Sequence, residues 1–252
     1  YLGYMKKYFI DEQETFAVSD ELEARVELVS WEEHPIVYID NFYKNPNLVR
    51  NLALRCPGTR NQRICGGLPG ERVDMNMDLD GLGEIWKQVA ENVYALSMTE
   101  ATTFDQSVQR VPFSVNVTQS NRRQRLPHID FPDGLTNNSR GWAGVIYLNK
   151  GKECKGGTGF YTYKGNQINP FQKGIWGHKE EDWGDLPEEE HYIEDSKGPW
   201  ELVHLAEMKY NRMVMYPDNI LHTSYDKPGF FEGDTYRLVQ VFFIPLHFPD
   251  PT

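Results

Sequence analysis

The sequence predicts a mainly β fold, a sandwich or a barrel with flanking helices, and three observations support that prediction. After about residue 110, six segments are rich in Val, Ile, Tyr and Phe. Gly, Pro, Asn and Asp turns separate them, and little helical periodicity lies between them. The predicted strands are Pro112–Gln119, Trp142–Asn149, Gly159–Tyr163, Glu201–Met208, Arg212–Tyr216 and Thr235–Leu246.

The first 110 residues are expected to be a mixed α/β region packed on the β core. Ile36–Phe42 is predicted to be a strand, and Asn45 and Pro46 provide the cap and first position of a helix. Residues 57–74 contain Gly, Pro and Arg without periodicity, which predicts a loop. Apolar residues at helical spacing predict a second helix over Leu82–Leu96, with one buried face.

Residues 111–252 are expected to form the main β region, interrupted at about 164–200 by an acidic insertion. So long a segment without strands is either a lid or interaction surface, or an inert elaboration. Its tryptophans Trp176, Trp183 and Trp200 would cover the mouth of a site or mark a homodimer contact. The sequence leaves these alternatives, and the oligomeric state, open.

Composition excludes several classes of function. The chain has 26 Lys and Arg against 37 Asp and Glu, a net charge of −11, which disfavours general binding to nucleic acid. No apolar run is long enough to span a membrane, and the N-terminal residues lack the layout of a signal peptide. The chain has three cysteines, a small and odd number that suits reduced thiols better than a disulfide framework. We therefore expect a reducing, cytoplasmic location.

His128-Ile-Asp130 is the first motif with a chemical interpretation. Residues two apart on a strand point to the same side, so both side chains reach one ion. A neutral imidazole and a carboxylate are two of the three ligands in the facial triad of non-haem iron enzymes. By itself the motif is common, and a surface turn is the alternative interpretation.

A second segment, Met213–His222, supplies the third candidate ligand. It is an apolar strand followed by a turn at Pro217-Asp218, which lets the chain double back and carries His222 inward on the next strand. Farther on, alternation in Thr235–Phe243 places Arg237 on an apolar face. A guanidinium there requires an anion, which is either a dicarboxylate cosubstrate or an acidic side chain of the protein.

Five motifs in order resemble the iron(II)/2-oxoglutarate-dependent dioxygenase superfamily, in its prolyl-hydroxylase-like branch, over roughly residues 112–246. They are Pro127-His-Ile-Asp130, Trp142–Asn149, Gly156-Gly-Thr-Gly-Phe-Tyr161, Tyr216–His222 and Tyr236-Arg237. The resemblance implies a double-stranded β-helix, or jelly roll. It also implies Fe(II) held by the candidate triad His128, Asp130 and His222.

The same resemblance implies that Arg237 binds the far carboxylate of 2-oxoglutarate and that Tyr147 is a second contact. It implies O2-dependent hydroxylation of an amino acid, a peptide side chain or a related small molecule, with release of succinate and carbon dioxide. One departure from the family concerns the anchor residue, the arginine that binds the far carboxylate of 2-oxoglutarate. Arg237 follows His222 by 15 residues, which is longer than the usual gap in the family. Arg140 and Arg125 are therefore substitutes for the anchor role.

Two other classes of function remain open from the sequence. One is a non-catalytic jelly-roll binding protein with a vestigial metal pocket. The other is a cupin-like metalloenzyme that does not use 2-oxoglutarate, for which a carboxylate clamp at Arg237 would be unnecessary. The identity of the substrate is not encoded in any motif of the chain.

Overall fold

The computed structural model describes residues 11–29, 34–55, 71–76, 103–104, 110–116, 127, 139–163, 193, 195–198, 200–217, 220–231 and 235–247. Its helices are α1 (Glu12–Thr15) and α2 (Pro46–Arg55), and a 3-10 turn covers Gly151–Glu153. Its strands are β1 (Glu23–Val29), β2 (His34–Asp40), β3 (Glu71–Asn76), β4 (Thr103–Phe104), β5 (Arg110–Asn116), β6 (Ser139–Tyr147), β7 (Gly157–Tyr163), β8 (Trp200–Glu207), β9 (Met213–Pro217), β10 (His222–Tyr225) and β11 (Arg237–His247).

The described strands form two antiparallel sheets, which confirms the prediction of a mainly β fold. The large sheet has the order β1-β2-β9-β6-β11-β5-β3, with β4 paired to the far end of β11. The small sheet has the order β10-β7-β8. Apart from the pairs β1-β2 and β7-β8, neighbouring strands are not consecutive in the chain, and from β6 to β11 the chain passes repeatedly from one sheet to the other.

The main hydrophobic core contains buried side chains from both sheets. β6 and β11 pair in long register, with Tyr147 opposite Val239, and both side chains belong to this core. Phe160 and Ala206 reach it from β7 and β8 of the small sheet. Side chains alternate between the faces of a strand, so alternate residues of β6 and β11 point towards the small sheet.

Strands from the first 110 residues belong to the same large sheet. β1 and β2 lie at one edge beside β9, and β3 lies at the other edge beside β5. The predicted loop over 57–74 is wrong from Glu71 onward, where β3 begins. Few residues of β3 favour a strand. The conformation of β3 is explained by its pairing with β5, which the local sequence does not reveal.

Other boundaries agree closely with the sequence. α2 begins at Pro46, as its cap predicts, and the predicted strand over 201–208 is β8, which begins at Trp200. Trp200 packs in a second, smaller core with Tyr161, Ile193 and Leu221. The predicted helix over 82–96 and residues 164–192 of the insertion, with Trp176 and Trp183, lie outside the described residues. None of the described helices is long and apolar enough to cross a membrane.

Candidate metal and anion site

His222 is the first residue of β10 and points into the space between the two sheets. The amide of Ile220 donates to the carbonyl of Pro217 at 3.2 Å, a turn that brings the chain from β9 back towards β10. His222 is then paired with Phe160 of β7 and is 5% exposed. Directly paired residues share one face of a sheet, so the imidazole lies on the core side with Phe160.

The imidazole of His222 is held in one orientation. Its Nδ1 lies 2.9 Å from the carbonyl oxygen of Ile220, and a carbonyl only accepts, so Nδ1 carries the proton of this hydrogen bond. The ring also packs against Tyr216, with centroids 4.6 Å apart. In the neutral imidazole this tautomer leaves the lone pair on Nε2, which is the form that binds a metal ion.

Arg237 begins β11 and crosses from the large sheet to the small one. Its Nη2 donates to the carbonyl of Gly157 at 3.1 Å, and its guanidinium carbon lies 6.0 Å from the centre of the Tyr147 ring. The residue is 5% exposed. Burial lowers the pKa of Arg237, whereas the nearby Tyr147 and Asp226 act in the opposite direction. A buried, protonated guanidinium at this place suits an anion.

The ring of Tyr147 lies beside the guanidinium of Arg237. The residue is fully buried, and its hydroxyl shares a 2.7 Å hydrogen bond with Thr158 Oγ1 and donates to the carbonyl of Ala206 at 3.3 Å. Burial raises the pKa of Tyr147, while Arg237 and the Thr158 hydrogen bond lower it. These bonds join β6 to β7 and β8, so the hydroxyl fixes the separation of the two sheets beside Arg237.

The site residues can be placed relative to one another along β7. His222 lies opposite Phe160, and Arg237 contacts the carbonyl of Gly157, three residues earlier on the same strand. Three residues of a strand span about 10 Å. His222 and Arg237 thus lie at two ends of one interior strip that β7 lines.

The structure brings three of the five predicted site residues to this strip: His222, Arg237 and Tyr147. His128 and Asp130 lie outside the described residues, as does the substitute Arg125. Pro127, directly before them, is buried. Within the described ranges, no group of three or more His, Cys, Asp or Glu is placed to hold a metal ion. The complete metal triad therefore stays a prediction.

The sequence of residues 20–228 matches a family described as a family of unknown function, DUF6445. The chain belongs to DUF6445. No curated protein and no solved structure matches it. The part that matches DUF6445 includes His222, Tyr147 and the His128–Asp130 motif, and it ends before Arg237.

Asn149 is a site residue of this DUF6445 chain that the sequence did not reveal. Its Nδ2 donates to the carbonyl of Tyr236 at 2.6 Å, and its Oδ1 accepts from the amide of Leu238 at 2.7 Å. Both partners flank Arg237, and Asn149 is fully buried. The only signal in the sequence was an asparagine at the end of a predicted apolar strand. This signal does not indicate that the side chain binds the backbone of Tyr236 and Leu238.

The glycines at the start of β7 are required by close backbone contacts. Gly156 has φ +66°, and a Cβ built there would lie 2.1 Å from the carbonyl oxygen of Tyr225. A Cβ on Gly157 would lie 2.0 Å from the carbonyl oxygen of Ala206. A side chain at either position would therefore force the backbone of a neighbouring strand to shift and would destabilise the protein.

His204, to which the sequence assigned no role, lies on β8 two strands away from His222. Its ring centroid is 6.1 Å from that of Phe160, and its Nε2 hydrogen-bonds the hydroxyl of Tyr38 and lies 3.5 Å from Glu27. Burial lowers the pKa of His204, Glu27 opposes this shift, and Arg25 adds to it. These contacts join β8 to β1 and β2 and give His204 a role in closing one side of the fold.

Proposed function

We propose that this chain is an Fe(II)- and 2-oxoglutarate-dependent oxygenase that hydroxylates an amino acid, a peptide side chain or a related small molecule. The observation that carries the proposal is the interior strip in which His222 and Arg237 face the same space. One end offers a metal-binding nitrogen and the other a buried cation. A metal ion would bind the first group, and a carboxylate of a dicarboxylate would pair with the second.

The strand order supports the jelly-roll form of this proposal. From β6 to β11 the chain visits the large sheet, the small sheet twice, the large sheet, the small sheet and the large sheet. In the large sheet, β9, β6, β11 and β5 are consecutive neighbours opposite β10, β7 and β8. Two facing antiparallel sheets with such crossings are typical of a jelly roll.

The residues present fit the group that the proposal requires. His222 offers Nε2, because Nδ1 donates to the carbonyl of Ile220. His128 and Asp130 would complete the ligand set. The guanidinium of Arg237 would bind the far carboxylate of 2-oxoglutarate with a planar pair of N–H groups. Tyr147 would support it from below, because its hydroxyl already bonds Thr158 and Ala206.

When bound, iron and 2-oxoglutarate supply the oxidising chemistry, with succinate and carbon dioxide as co-products. The chain's own residues bind and orient. Tyr216 and Phe160 pack around His222 and limit the access of water to its ring. Arg237 would bind the far carboxylate of the cosubstrate and so orient it.

The test is succinate formation from 2-oxoglutarate with Fe(II) and O2, together with calorimetric binding of Mn(II) as a redox-inert probe. The wild type should form succinate, and His222→Ala should lose metal binding and turnover. His204→Ala is the control, because it removes a second, partly buried imidazole of the small sheet, whose side chain is 19% exposed, and should retain both metal binding and turnover. Equal metal binding by wild type and His222→Ala would refute the site. Absence of both metal binding and succinate from the wild type would favour a non-catalytic binding protein.

A further inference from the structure

We infer that Asn149 is a positioning residue for the anion end of this site, acting through the backbone of Arg237. The inference rests on the proposed function, because it concerns the residue that would bind the cosubstrate. Both polar groups of the Asn149 side chain bind backbone atoms, so its effect on binding would come from the conformation that it imposes on the start of β11.

The hydrogen bonds of Asn149 define that conformation. The carbonyl of Tyr236 belongs to the peptide unit before the Arg237 Cα, and the amide of Leu238 belongs to the unit after it. One side-chain amide binds both, at 2.6 and 2.7 Å. The orientation of these two peptide planes sets φ and ψ of Arg237, and therefore the direction in which its side chain leaves the strand.

Asn149 takes the place of a missing strand at this point. β6 ends at Tyr147, and the last backbone bond in this register is from the amide of Leu148 to the carbonyl of Leu238. Beyond it, the β6 side of β11 is paired by the Asn149 amide. On its other side Arg237 is paired with Asn116 of β5. The backbone of Arg237 is therefore held from both sides.

The segment that contains Asn149 also holds the far end of Arg237. Tyr147 supplies the ring below the guanidinium, and Gly157 supplies the carbonyl that accepts from Nη2. Between them, the thiol of Cys154 donates to the carbonyl of Asn149 at 3.0 Å, which folds the segment back on itself. Residues 147–157 thus fix both the base and the tip of the same side chain.

The segment is fastened to the rest of the protein by α2. Arg50 donates to the carbonyl of Leu148 at 3.0 Å and pairs with Glu153 at 2.9 Å. The Arg50 side chain is 16% exposed, so this ion pair is partly shielded from solvent. Asn149 is consequently attached to a rigid base, which lets its hydrogen bonds impose a geometry on β11.

Asn211 provides a matched control within the same chain. Its side-chain amide also makes two buried bonds to backbone, accepting from the amide of Tyr43 at 2.8 Å and donating to the carbonyl of Tyr43 at 2.9 Å. Asn211→Ala thus removes the same number and kind of hydrogen bonds as Asn149→Ala. Because Asn211 has φ 61°, its replacement also costs backbone strain. The two variants differ in the backbone segment that loses its hydrogen bonds, which is the segment around Arg237 for Asn149→Ala and Tyr43 for Asn211→Ala.

The experiment measures the Kd of 2-oxoglutarate by calorimetry in the presence of Mn(II), for wild type, Asn149→Ala, Asn211→Ala and Arg237→Ala. Far-ultraviolet circular dichroism verifies that each variant is folded. Asn149→Ala should raise the Kd by about tenfold, the scale of one misaligned charge-assisted hydrogen bond, and leave the Kd of Mn(II) unchanged. Asn211→Ala should leave both constants unchanged.

The double variant decides between positioning and general destabilisation. If Asn149 acts through Arg237, adding Asn149→Ala to Arg237→Ala leaves the Kd of Arg237→Ala unchanged. Additive losses, or a wild-type Kd in Asn149→Ala, would overturn the inference while leaving the proposed function intact. Failure of the wild type to bind 2-oxoglutarate at all would overturn both.

Discussion

Arg237 of the large sheet donates from Nη2 to the carbonyl oxygen of Gly157 in the small sheet, at 3.1 Å. The bond joins the first residue of β11 to the first residue of β7. It places a buried cation beside a glycine whose conformation and contacts exclude other residues. The same two residues thus contribute to sheet packing and to the proposed anion site.

Arg237→Lys keeps the positive charge but loses the planar pair of N–H groups that matches a carboxylate. We expect the KM for 2-oxoglutarate to rise by about tenfold, with a smaller change in kcat at saturating cosubstrate. Steady-state succinate release measures both constants. Arg25→Lys, at a half-exposed side chain of β1, is the control and should retain the wild-type KM. An unchanged KM in Arg237→Lys would transfer the anchor role to Arg140 or Arg125.

Gly156→Ala should destabilise the protein more than Gly151→Ala. Both glycines have positive φ, +66° and +50°, so both replacements pay the cost of a left-handed backbone, about 1 kcal/mol. At Gly156 the added Cβ would also lie 2.1 Å from the carbonyl of Tyr225, whereas at Gly151 nothing lies within 4 Å. We expect a loss of about 3 kcal/mol or more for Gly156→Ala. Equal urea midpoints for the two variants would contradict the close contact.

Asp40→Asn should destabilise the protein at neutral pH. Asp40 accepts from Arg212 at 2.6 and 2.9 Å and from Lys209 at 2.7 Å, in a site where its side chain is 10% exposed. Burial raises the pKa of Asp40, but the hydrogen bonds from Arg212 and Lys209 outweigh it and lower the pKa from 3.8 to about 2. We expect a loss of about 2 kcal/mol in the free energy of unfolding.

The sign of this pKa shift predicts its pH dependence. A carboxyl whose folded pKa is depressed contributes stability above its unfolded pKa, and the contribution disappears as the pH falls through the folded value. The difference between wild type and Asp40→Asn should therefore be constant near neutral pH, begin to shrink about one pH unit above the unfolded pKa of 3.8, and continue to shrink towards pH 2. Asp20→Asn, at an exposed carboxylate 3.6 Å from Lys44, should have little effect at any pH. A difference that grows on acidification would contradict the shift.

Cys154 should react slowly with iodoacetamide in the folded protein. Burial raises the pKa of its thiol, with Glu153 acting in the same direction and Arg50 opposing it. The thiolate is the reactive form, so a raised pKa reduces reaction at neutral pH. Mass spectrometry of the peptide that contains Cys154 should show slower labelling than in denaturant, with the rate rising as the pH increases. Equal rates of labelling in the native and the denatured protein at neutral pH would contradict both the burial of the Cys154 thiol and its raised pKa.

Much of the fold was predictable from local sequence. The strands β6 to β9 and β11 combine Val, Ile, Tyr and Phe with clear turn residues, and they lie within two or three residues of their predicted positions. The four-residue strand β10 was expected only as the strand after the turn at Pro217-Asp218, without bounds. β1 was not predicted, although charged and apolar residues alternate along it as they do in a strand. One of its charged side chains, that of Glu27, remains 39% exposed and lies 3.5 Å from His204 of the small sheet. That contact depends on the tertiary structure, which local patterns do not encode.

The candidate site also has residues that local sequence predicts and residues that it does not. Alternation along β11 predicted that Arg237 faces the core with Val239, because a two-residue period follows from strand geometry alone. Asn149 could not be found by such reasoning. Its partners Tyr236 and Leu238 are 87 and 89 residues away in sequence, and its side chain binds backbone atoms, which leave no signature in residue type.

The most direct test of the account is an anaerobic crystal structure of the protein with Fe(II) and 2-oxoglutarate. We predict one iron ion bound by Nε2 of His222, by His128 and by Asp130, with the far carboxylate of 2-oxoglutarate on the guanidinium of Arg237. Iron bound elsewhere, or a His222 Nε2 that faces away from the metal while 2-oxoglutarate lies remote from Arg237, would contradict the assignment.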